Sequence, residues 1–495
     1  MYPSLEEVKS IAAQGDYRRI PVCRELYADR FTPVEVVRTL RAASRHCYLL
    51  ESAENNQVWG RYSFLGYDPT LELTCRNGQL QLRKSTEEGS VNCTVRPTAH
   101  PGEEIRRILA AYRSPHMPDL PPFTGGLVGY FSYDYIKYAE PTLQLTATDN
   151  DDFQDVDLML FDRVIVFDHY RQKLILITGV STADPDASYA RAERQLAEMV
   201  RLLNSGARAD FKPLHLDSPL QPVFTKEQYC RMVEIAKHHI FEGDIFQVVL
   251  SNPLTAPAHG SLLDTYRVLR AANPSPYMFY FSSDNIELAG ASPETLARLE
   301  NGTIHTFPLA GTRPRGKTAE EDRQLETELL HDEKELAEHN MLVDLGRNDL
   351  GRICRLGSVR VEQYKSVLRF SHVMHIGSTV AGEICPDRDA VDAIDSILPA
   401  GTLSGAPKLR ACSIIQELER RKRGIYGGAI GYLDFTGNLD TCIAIRLAYK
   451  KNGQVCVQSG AGIVADSIPE LEYQECRNKA RAVTSALELA EEGLE

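Results

Sequence analysis

Two helical segments of this chain carry carboxylates at a spacing that could hold a hard cation. Glu335 and Glu338 lie three residues apart in the stretch Thr318 to Asn340, and so project from nearly one face of a helix. A second segment opens at Ser467-Ile468-Pro469-Glu470 and sets Glu472, Glu475 and Lys479 on one face. Each face taken alone also reads as a solvated charge stripe. Should both helices line one cavity, Glu338 and Glu475 could share a single Mg²⁺, an ion that takes one or two protein carboxylates and keeps several waters. Lys479 would then be available to a substrate carboxylate.

Several other stretches suit an anionic partner. Pro308-Leu309-Ala310-Gly311-Thr312-Arg313-Pro314-Arg315-Gly316 packs two glycines, two prolines and two arginines into nine residues. It is expected to form a stiff loop, with amides and guanidiniums available to a carboxylate. Gly401-Thr402-Leu403-Ser404-Gly405-Ala406-Pro407-Lys408 reads as a capped turn or as an anion site at the start of a helix near Lys408. Gln458-Ser459-Gly460-Ala461-Gly462 follows an expected strand but lacks the spacing of a dinucleotide fingerprint. Arg446 is expected to end an alternating strand from Thr441, as a carboxylate clamp or a structural ion pair. His372 and His375 are separated by three positions; without further Cys or His nearby they suit acid–base chemistry or hydrogen bonding better than zinc.

These residues need a large scaffold. At 495 residues the length suggests two to four domains, or two large intertwined ones. Asn204 to Val223, rich in Pro, Gly, Ser and Asp, reads as a linker, giving regions 1–210 and 224–495. Thr32 and Thr225 each begin a capping-box pattern. Strands are expected near 48–50, 158–167, 174–178, 245–250, 278–281, 428–434, 441–447 and 455–458, the second and third forming a hairpin. Strands in clusters with long helices between them point to an α+β layered fold. The net charge of −13 argues against nucleic acid as the main partner, and means an anionic substrate needs local positive charge or a metal ion. Eleven scattered cysteines without a Cys-x-x-Cys pair, and no apolar run long enough to span a bilayer, fit a cytoplasmic protein with reduced thiols and no membrane partner.

Taken together, the motifs resemble the chorismate-utilising enzymes from about Phe224 to Leu487. The residues carrying the resemblance are NPSPYMFYF (273–281), ASPE (291–294), PLAGTRPRG (308–316), DEKELAEHNMLVDLGRNDLGRI (332–353), SHVMHIGS (371–378), GTLSGAPK (401–408), YGGAIGY (426–432), LDTCIAIR (439–446), QSGAGIVADS (458–467) and EYQECRNKARA (472–482). LLES (49–52), RYSFLG (61–66) and FTGGLVGYFSYD (123–134) extend it to the N-terminal region.

The resemblance implies a layered sandwich of large, mainly antiparallel sheets with outer helices, in which the two regions share a core. It implies Mg²⁺ on Glu338 and Glu475. Substrate would be held by Gly311, Thr312, Tyr426, Arg446, Gly460, Ala461, Gly462 and Lys479. Glu294 would be the general acid, with His375 and Thr402 on the reacting face. Water-adding members carry a lysine base where this chain has Gln247. Aminodeoxychorismate synthases, the alternative reading, typically carry a nucleophilic lysine where it has Ala310. Both positions point to direct addition of ammonia at C2 of chorismate, giving anthranilate and pyruvate for tryptophan biosynthesis. A catalytically silent scaffold subunit would lack some of Glu294, Glu338, His375 and Glu475, and all four are present. No cysteine sits in a Gly-x-Cys-x-Gly turn, so a separate glutamine amidotransferase subunit is expected to supply ammonia, in a 2:2 heterotetramer. Glu51, Ser52, Pro276, Tyr277 and Met278 match the family's tryptophan feedback site.

Overall fold

The fold is seen in a computed structural model, which describes the chain apart from residues 54–59, 86–89, 144, 146, 150, 370–372 and 495. His372 therefore lies outside the described residues. Two large sheets stack face to face, and every pairing between their strands is antiparallel. The first runs from Arg19–Tyr27 through Lys173–Ser181, Val164–Asp168, Tyr62–Tyr67 and Cys47–Glu51. It continues through Tyr277–Ser282, Glu287–Ser292, Leu447–Lys451 and Gln454–Ile463 to Gln247–His259. The second runs from Leu309–Pro314 through Val373–Glu383, Thr303–Thr306, Thr295–Glu300, Leu439–Ile443 and Ala429–Asp434. It ends with Gly126–Phe131, Val156–Phe161 and the Leu71–Arg76, Gln79–Ser85 and Val91–Pro97 strands. Both sheets thus mix strands from before and after residues 204–223.

Burial on both faces explains why so many strands lack polar alternation. Tyr48, Phe64, Val166 and Phe279 of the first sheet meet Tyr130, Met159 and Ile430 of the second in a shared core. Cys47, Leu49 and Leu65, pointing the other way, pack with Val36 and Leu40 of Pro33–Ala43 and with Val483 and Leu487 of Pro469–Glu491. The second sheet's outer face is covered by Ile105, Ile108, Val391 and Ile394 of two shorter helices. The expected helices around Thr32 and Thr225 form, each capped by its threonine side chain.

Several expectations are corrected. The run 158–167 is not one strand: Val156–Phe161 belongs to the second sheet and Val164–Asp168 to the first, so only the latter makes the hairpin with Lys173–Ser181. Thr441–Leu447 divides likewise, and Arg446 falls between two strands with φ of 53°. The charged Asp162-Arg163 pair marks the first change of sheet inside an otherwise apolar run, but which sheet each half joins is set by tertiary pairing. The stretch Thr318 to Asn340 is two helices, Ala319–His331 and Glu333–Gly351. They meet at Asp332, whose side chain caps the second by accepting from the Lys334 and Glu335 amides. Ser467 is not the cap of the last helix; Ile468 holds that place, and the Ser467 hydroxyl accepts from the Val464 amide.

Candidate active site

The site forms where the chain passes from one sheet to the other. Glu294 lies between Glu287–Ser292 of the first sheet and Thr295–Glu300 of the second; Arg446 lies between Leu439–Ile443 and Leu447–Lys451. The two crossings are stitched together. The Ile443 amide donates to the Glu294 carbonyl at 2.9 Å, the Ala291 amide to the Arg446 carbonyl at 3.1 Å, and the Ser292 hydroxyl to the Ile443 carbonyl at 2.7 Å. Ion pairs to the Arg446 guanidinium are absent among the described residues, and burial pushes its pKa down. An enclosed, uncompensated guanidinium is a receptor for an anion.

Among the described residues, Glu294 accepts one hydrogen bond at its carboxyl, from the Thr402 hydroxyl at 3.0 Å. Burial pushes its carboxyl up to about 7, against the opposing pull of that bond and of Lys479 and Arg446. A carboxyl poised there exchanges a proton near neutral pH.

Beside it stand Tyr426 and the Gly460–Gly462 segment. That segment is not a loop after a strand: it is the paired end of Gln454–Ile463, matched residue for residue against Val249–Ser251. A Cβ at Gly460 would lie 2.8 Å from the Tyr426 hydroxyl and 2.6 Å from the Leu250 carbonyl oxygen; one at Gly462 would lie 2.6 Å from Gln247 Nε2. Bare backbone is therefore required here by close neighbours. Gln247 is buried; its Nε2 reaches Glu338 Oε1 at 3.4 Å and its Oε1 has no hydrogen-bond partner among the described residues.

Sequence reading missed what holds this wall. Arg423 and Glu419 form a buried ion pair at 2.6 Å. The Arg423 guanidinium donates to the carbonyls of Leu403 (2.7 Å) and Val249 (2.6 Å) and lies against the Tyr133 and Tyr426 rings. Glu419 in turn accepts from the Ser251 amide and hydroxyl. One pair thus ties together the neighbours of Thr402, Gln247 and Tyr426. An i, i+4 Glu–Arg spacing is the only sequence signal, and it is indistinguishable from a surface pair. Gly405-Ala406, in the turn before the Lys408–Glu419 helix, pairs with Gln247-Val248. Lys408 is engaged by Asp349, with both contacts at 2.9 Å.

The Pro308–Gly316 segment is not the free loop expected. Leu309–Pro314 is a strand paired with Val373–Gly377, its register shifting at Gly311, where φ is 65°. Nor do its arginines await a ligand: Arg313 pairs with Asp332 at 2.7 Å and Arg315 with Asp322 at 2.8 Å, because the acidic Ala319–His331 segment packs alongside. What the strand offers is Thr312 and Gly311. His375 Nδ1 lies 2.9 Å from the Gly311 carbonyl and 3.1 Å from the Thr312 hydroxyl. With Nδ1–H donating to that carbonyl, the neutral ring keeps its basic lone pair on Nε2. Burial pushes the His375 pKa down, favouring that neutral form. Ala310 stands one residue away in the same strand and pairs with Ile376.

The two acidic helices crowd their own carboxylates. Glu335 is pushed up by burial and by Glu338 and Asp332; Glu472 is pushed up by burial and by Glu475, with Lys334 of the other helix opposing it. Lys479 pairs with Glu475 at 2.7 Å, one helical turn away and half-exposed. Among the described residues no group of three or more His, Cys, Asp and Glu side chains could enclose a metal. Mutually repelling carboxylates beside the unpartnered Gln247 Oε1 do suit Mg²⁺, which needs few protein ligands.

The residues matched to a tryptophan site gather at one strand pair. Met278 pairs with Glu51, and the Ala53 amide donates to the Ser275 carbonyl. Glu51 is turned inward, and Ser63, Tyr266 and Arg270 occupy both its oxygens. The Tyr277 hydroxyl donates to Asp440 at 2.7 Å and accepts from Thr295, the neighbour of Glu294, at 3.1 Å.

Comparison with known proteins agrees with this geometry. A family model described as chorismate binding enzyme matches residues 45–485. The chain is 45% identical to anthranilate synthase component 1 of Acetivibrio thermocellus over 99% of each chain. It is 43% identical to that of Aquifex aeolicus, again over 99% of each. The crystal structure of anthranilate synthase component I from Streptococcus pneumoniae superposes with a TM-score of 0.75 at 40% identity, covering 86% of this chain and 92% of that one. The menaquinone-specific isochorismate synthase of Escherichia coli, at 19% identity and a TM-score of 0.68 over 98% of each chain, shares the fold. Among the described residues no helix is long and apolar enough to cross a membrane.

Proposed function

Because the chain belongs to the chorismate-binding enzymes, we propose that it is the chorismate-converting component of a two-part anthranilate synthase. It adds ammonia at C2 of chorismate, expels the C4 hydroxyl as water and eliminates pyruvate to leave anthranilate. The observation that carries this reading is a Glu294 carboxyl that burial pushes up to about 7, in a site with a neutral amide at Gln247 and a methyl group at Ala310. An amide cannot deprotonate water but does not hinder ammonia, which is already a nucleophile. A methyl cannot attack the ring.

Chorismate is a dianion, and the seam supplies Arg446, the Tyr426 hydroxyl and the backbone of Gly460–Gly462, with Gly311 and Thr312 from Leu309–Pro314. Glu294 gives its proton to the departing hydroxyl, and Thr402 fixes the carboxyl's orientation. His375, neutral and basic at Nε2, suits removal of the C2 proton as pyruvate leaves. Glu338 and Glu475 would hold Mg²⁺, which supplies positive charge for the ring carboxylate. Lys479, paired with Glu475, lowers the local negative charge. Residues 1–210 carry the regulatory role, with L-tryptophan bound at Ser52 and Pro276–Met278, and residues 224–495 the chemistry. Ammonia comes from a glutamine amidotransferase partner, in a 2:2 assembly.

The test is direct. The purified chain, given chorismate, Mg²⁺ and ammonium, is expected to produce anthranilate fluorescence that EDTA abolishes and Mg²⁺ restores. Isochorismate, salicylate or aminodeoxychorismate as the product would overturn the reading.

A further inference from the structure

Glu294 has a second side. A cleft of about 50 Å³ lies against it, walled by Thr306, Leu342, Leu345, Gly346, Asp349, Gly401 and Thr402. None of Gln247, His375, Tyr426, Arg446, Gly460 or Lys479 lines it. Of the residues placed around the reacting groups, Glu294 and Thr402 reach it, so it adjoins the site on the Thr402 side of the acid; it is too small for chorismate and large enough for a few waters.

Two features of its wall call for a polar occupant. Thr306 is 6% exposed, yet its hydroxyl has no hydrogen-bond partner among the described residues. A buried hydroxyl left unpaired is costly, and a water molecule is the simplest partner. Gly346 sits inside the Glu333–Gly351 helix without a positive φ. A Cβ there would meet only the Thr306 hydroxyl, at 3.1 Å, and Val380, at 3.8 Å. Neither backbone conformation nor a close backbone neighbour demands glycine, and alanine would make a better helix. What the missing side chain leaves is space beside the unpaired hydroxyl.

We propose that this cleft is a water port on the leaving-group side of the reaction. It holds water between Thr306 and Glu294, removes the water formed from the C4 hydroxyl, and lets Glu294 regain a proton while chorismate covers its other side. The proposal rests on the reaction given above. As the C4–O bond breaks, the Glu294 proton passes to that oxygen, leaving one water and an ionised carboxylate. The C2–N bond forms, and nitrogen releases the one proton that balances it. That proton returns through solvent, so the acid must reach solvent once per turnover.

Chemical rescue tests this. Glu294→Ala is expected to lose activity, and formate, entering through the port, to restore it about tenfold or more. Adding Gly346→Leu to that variant is expected to abolish the rescue. Alone, Gly346→Leu should lower kcat about tenfold while KM for chorismate stays within about twofold. Thr306→Val keeps the shape and decides the matter should the leucine impair folding: kcat is expected to fall several-fold, with a larger solvent deuterium isotope effect and unchanged KM. Failure of formate to rescue, rescue that survives Gly346→Leu, or a Thr306→Val chain matching the unaltered one would overturn the port. If the unaltered chain makes no anthranilate at all, the reaction itself is wrong. Anthranilate formation that is indifferent to Gly346 and Thr306 refutes the port alone.

Discussion

Glu51 and Glu294 are both enclosed carboxylates at strand ends of the first sheet, and they are treated in opposite ways. Around Glu51 the fold places a hydroxyl from Ser63, a phenol from Tyr266 and the Arg270 guanidinium, filling both oxygens. Around the Glu294 carboxyl it places, among the described residues, a single donor, the Thr402 hydroxyl. The saturated carboxylate is held among donors and ties strand to helix. The other lacks enough donors to favour its charge, and so becomes a proton carrier near neutral pH. Burial alone does not separate structure from chemistry; the count of donors does.

Glu294→Gln should give the largest effect. Removing a positioned acid costs about 10²- to 10⁴-fold in kcat. Glutamine keeps the shape and can still meet the Thr402 hydroxyl, so thermal unfolding should stay cooperative. The sign of the pH dependence is fixed by the raised pKa: Glu294 carries its proton below about 7 and loses it above. With free ammonia held constant, kcat/KM for chorismate should therefore fall as pH rises through about 7, and the variant should lose that limb. Stability should fall over the same range of rising pH. An ordinary glutamate titrates near 4.5, so the folded chain bears an unfavourable buried charge that is fully present above about 7 and absent below about 4.5. At pH 8 the glutamine variant should be as stable as the unaltered chain or up to about 2 kcal/mol more so, measured by denaturant unfolding. A variant that is inactive because it is unfolded would erase the contrast with Glu51.

Glu51→Gln is the reciprocal experiment. Here the amide cannot satisfy Arg270, Tyr266 and Ser63 together, and a cost of about 1–3 kcal/mol in unfolding free energy is expected, reduced by the partial exposure of Arg270. Turnover without tryptophan should stay within about twofold, since Glu51 touches none of the reacting groups. If kcat falls as far as in Glu294→Gln, donor count is not what distinguishes the two.

The sequence made much of this legible, and its failures share a cause. Helix caps at Thr32 and Thr225, and the clustering of strands, depend on near neighbours in the chain, and they appear as expected. Glu294, His375, Tyr426, Arg446 and Thr402 were marked by motif, and the fold brings them to one seam. Hidden from view were which sheet each half of a divided run joins, the conversion of Pro308–Gly316 from loop to strand, and the capture of Arg313 by Asp332 and of Arg315 by Asp322. Each depends on partners set by tertiary packing. The Arg423–Glu419 pair shows the same limit: its spacing was visible, while its burial, which turns an ordinary pair into a support for the site, was not.

Ser52→Ala is expected to have the smallest effect on the chain itself and still to separate the two regions. Ser52 follows Glu51 at the end of its strand, beside the Pro276–Met278 segment. If tryptophan binds there, losing one hydroxyl should weaken inhibition about tenfold, the value of one good hydrogen bond to a ligand. Uninhibited turnover should stay within about twofold and stability within about 0.5 kcal/mol. Tyr277→Phe supplies the control, because the Tyr277 hydroxyl reaches Asp440 and Thr295 beside the acid. That variant should lose several-fold in kcat, as a buried carboxylate and a hydroxyl lose their shared partner. Measuring initial rates against tryptophan concentration for both variants gives the decision. Inhibition in Ser52→Ala equal to that of the unaltered chain removes Ser52 from the regulatory site. A Tyr277→Phe chain with unchanged kcat shows that the Tyr277 bonds to Asp440 and Thr295 are structural only.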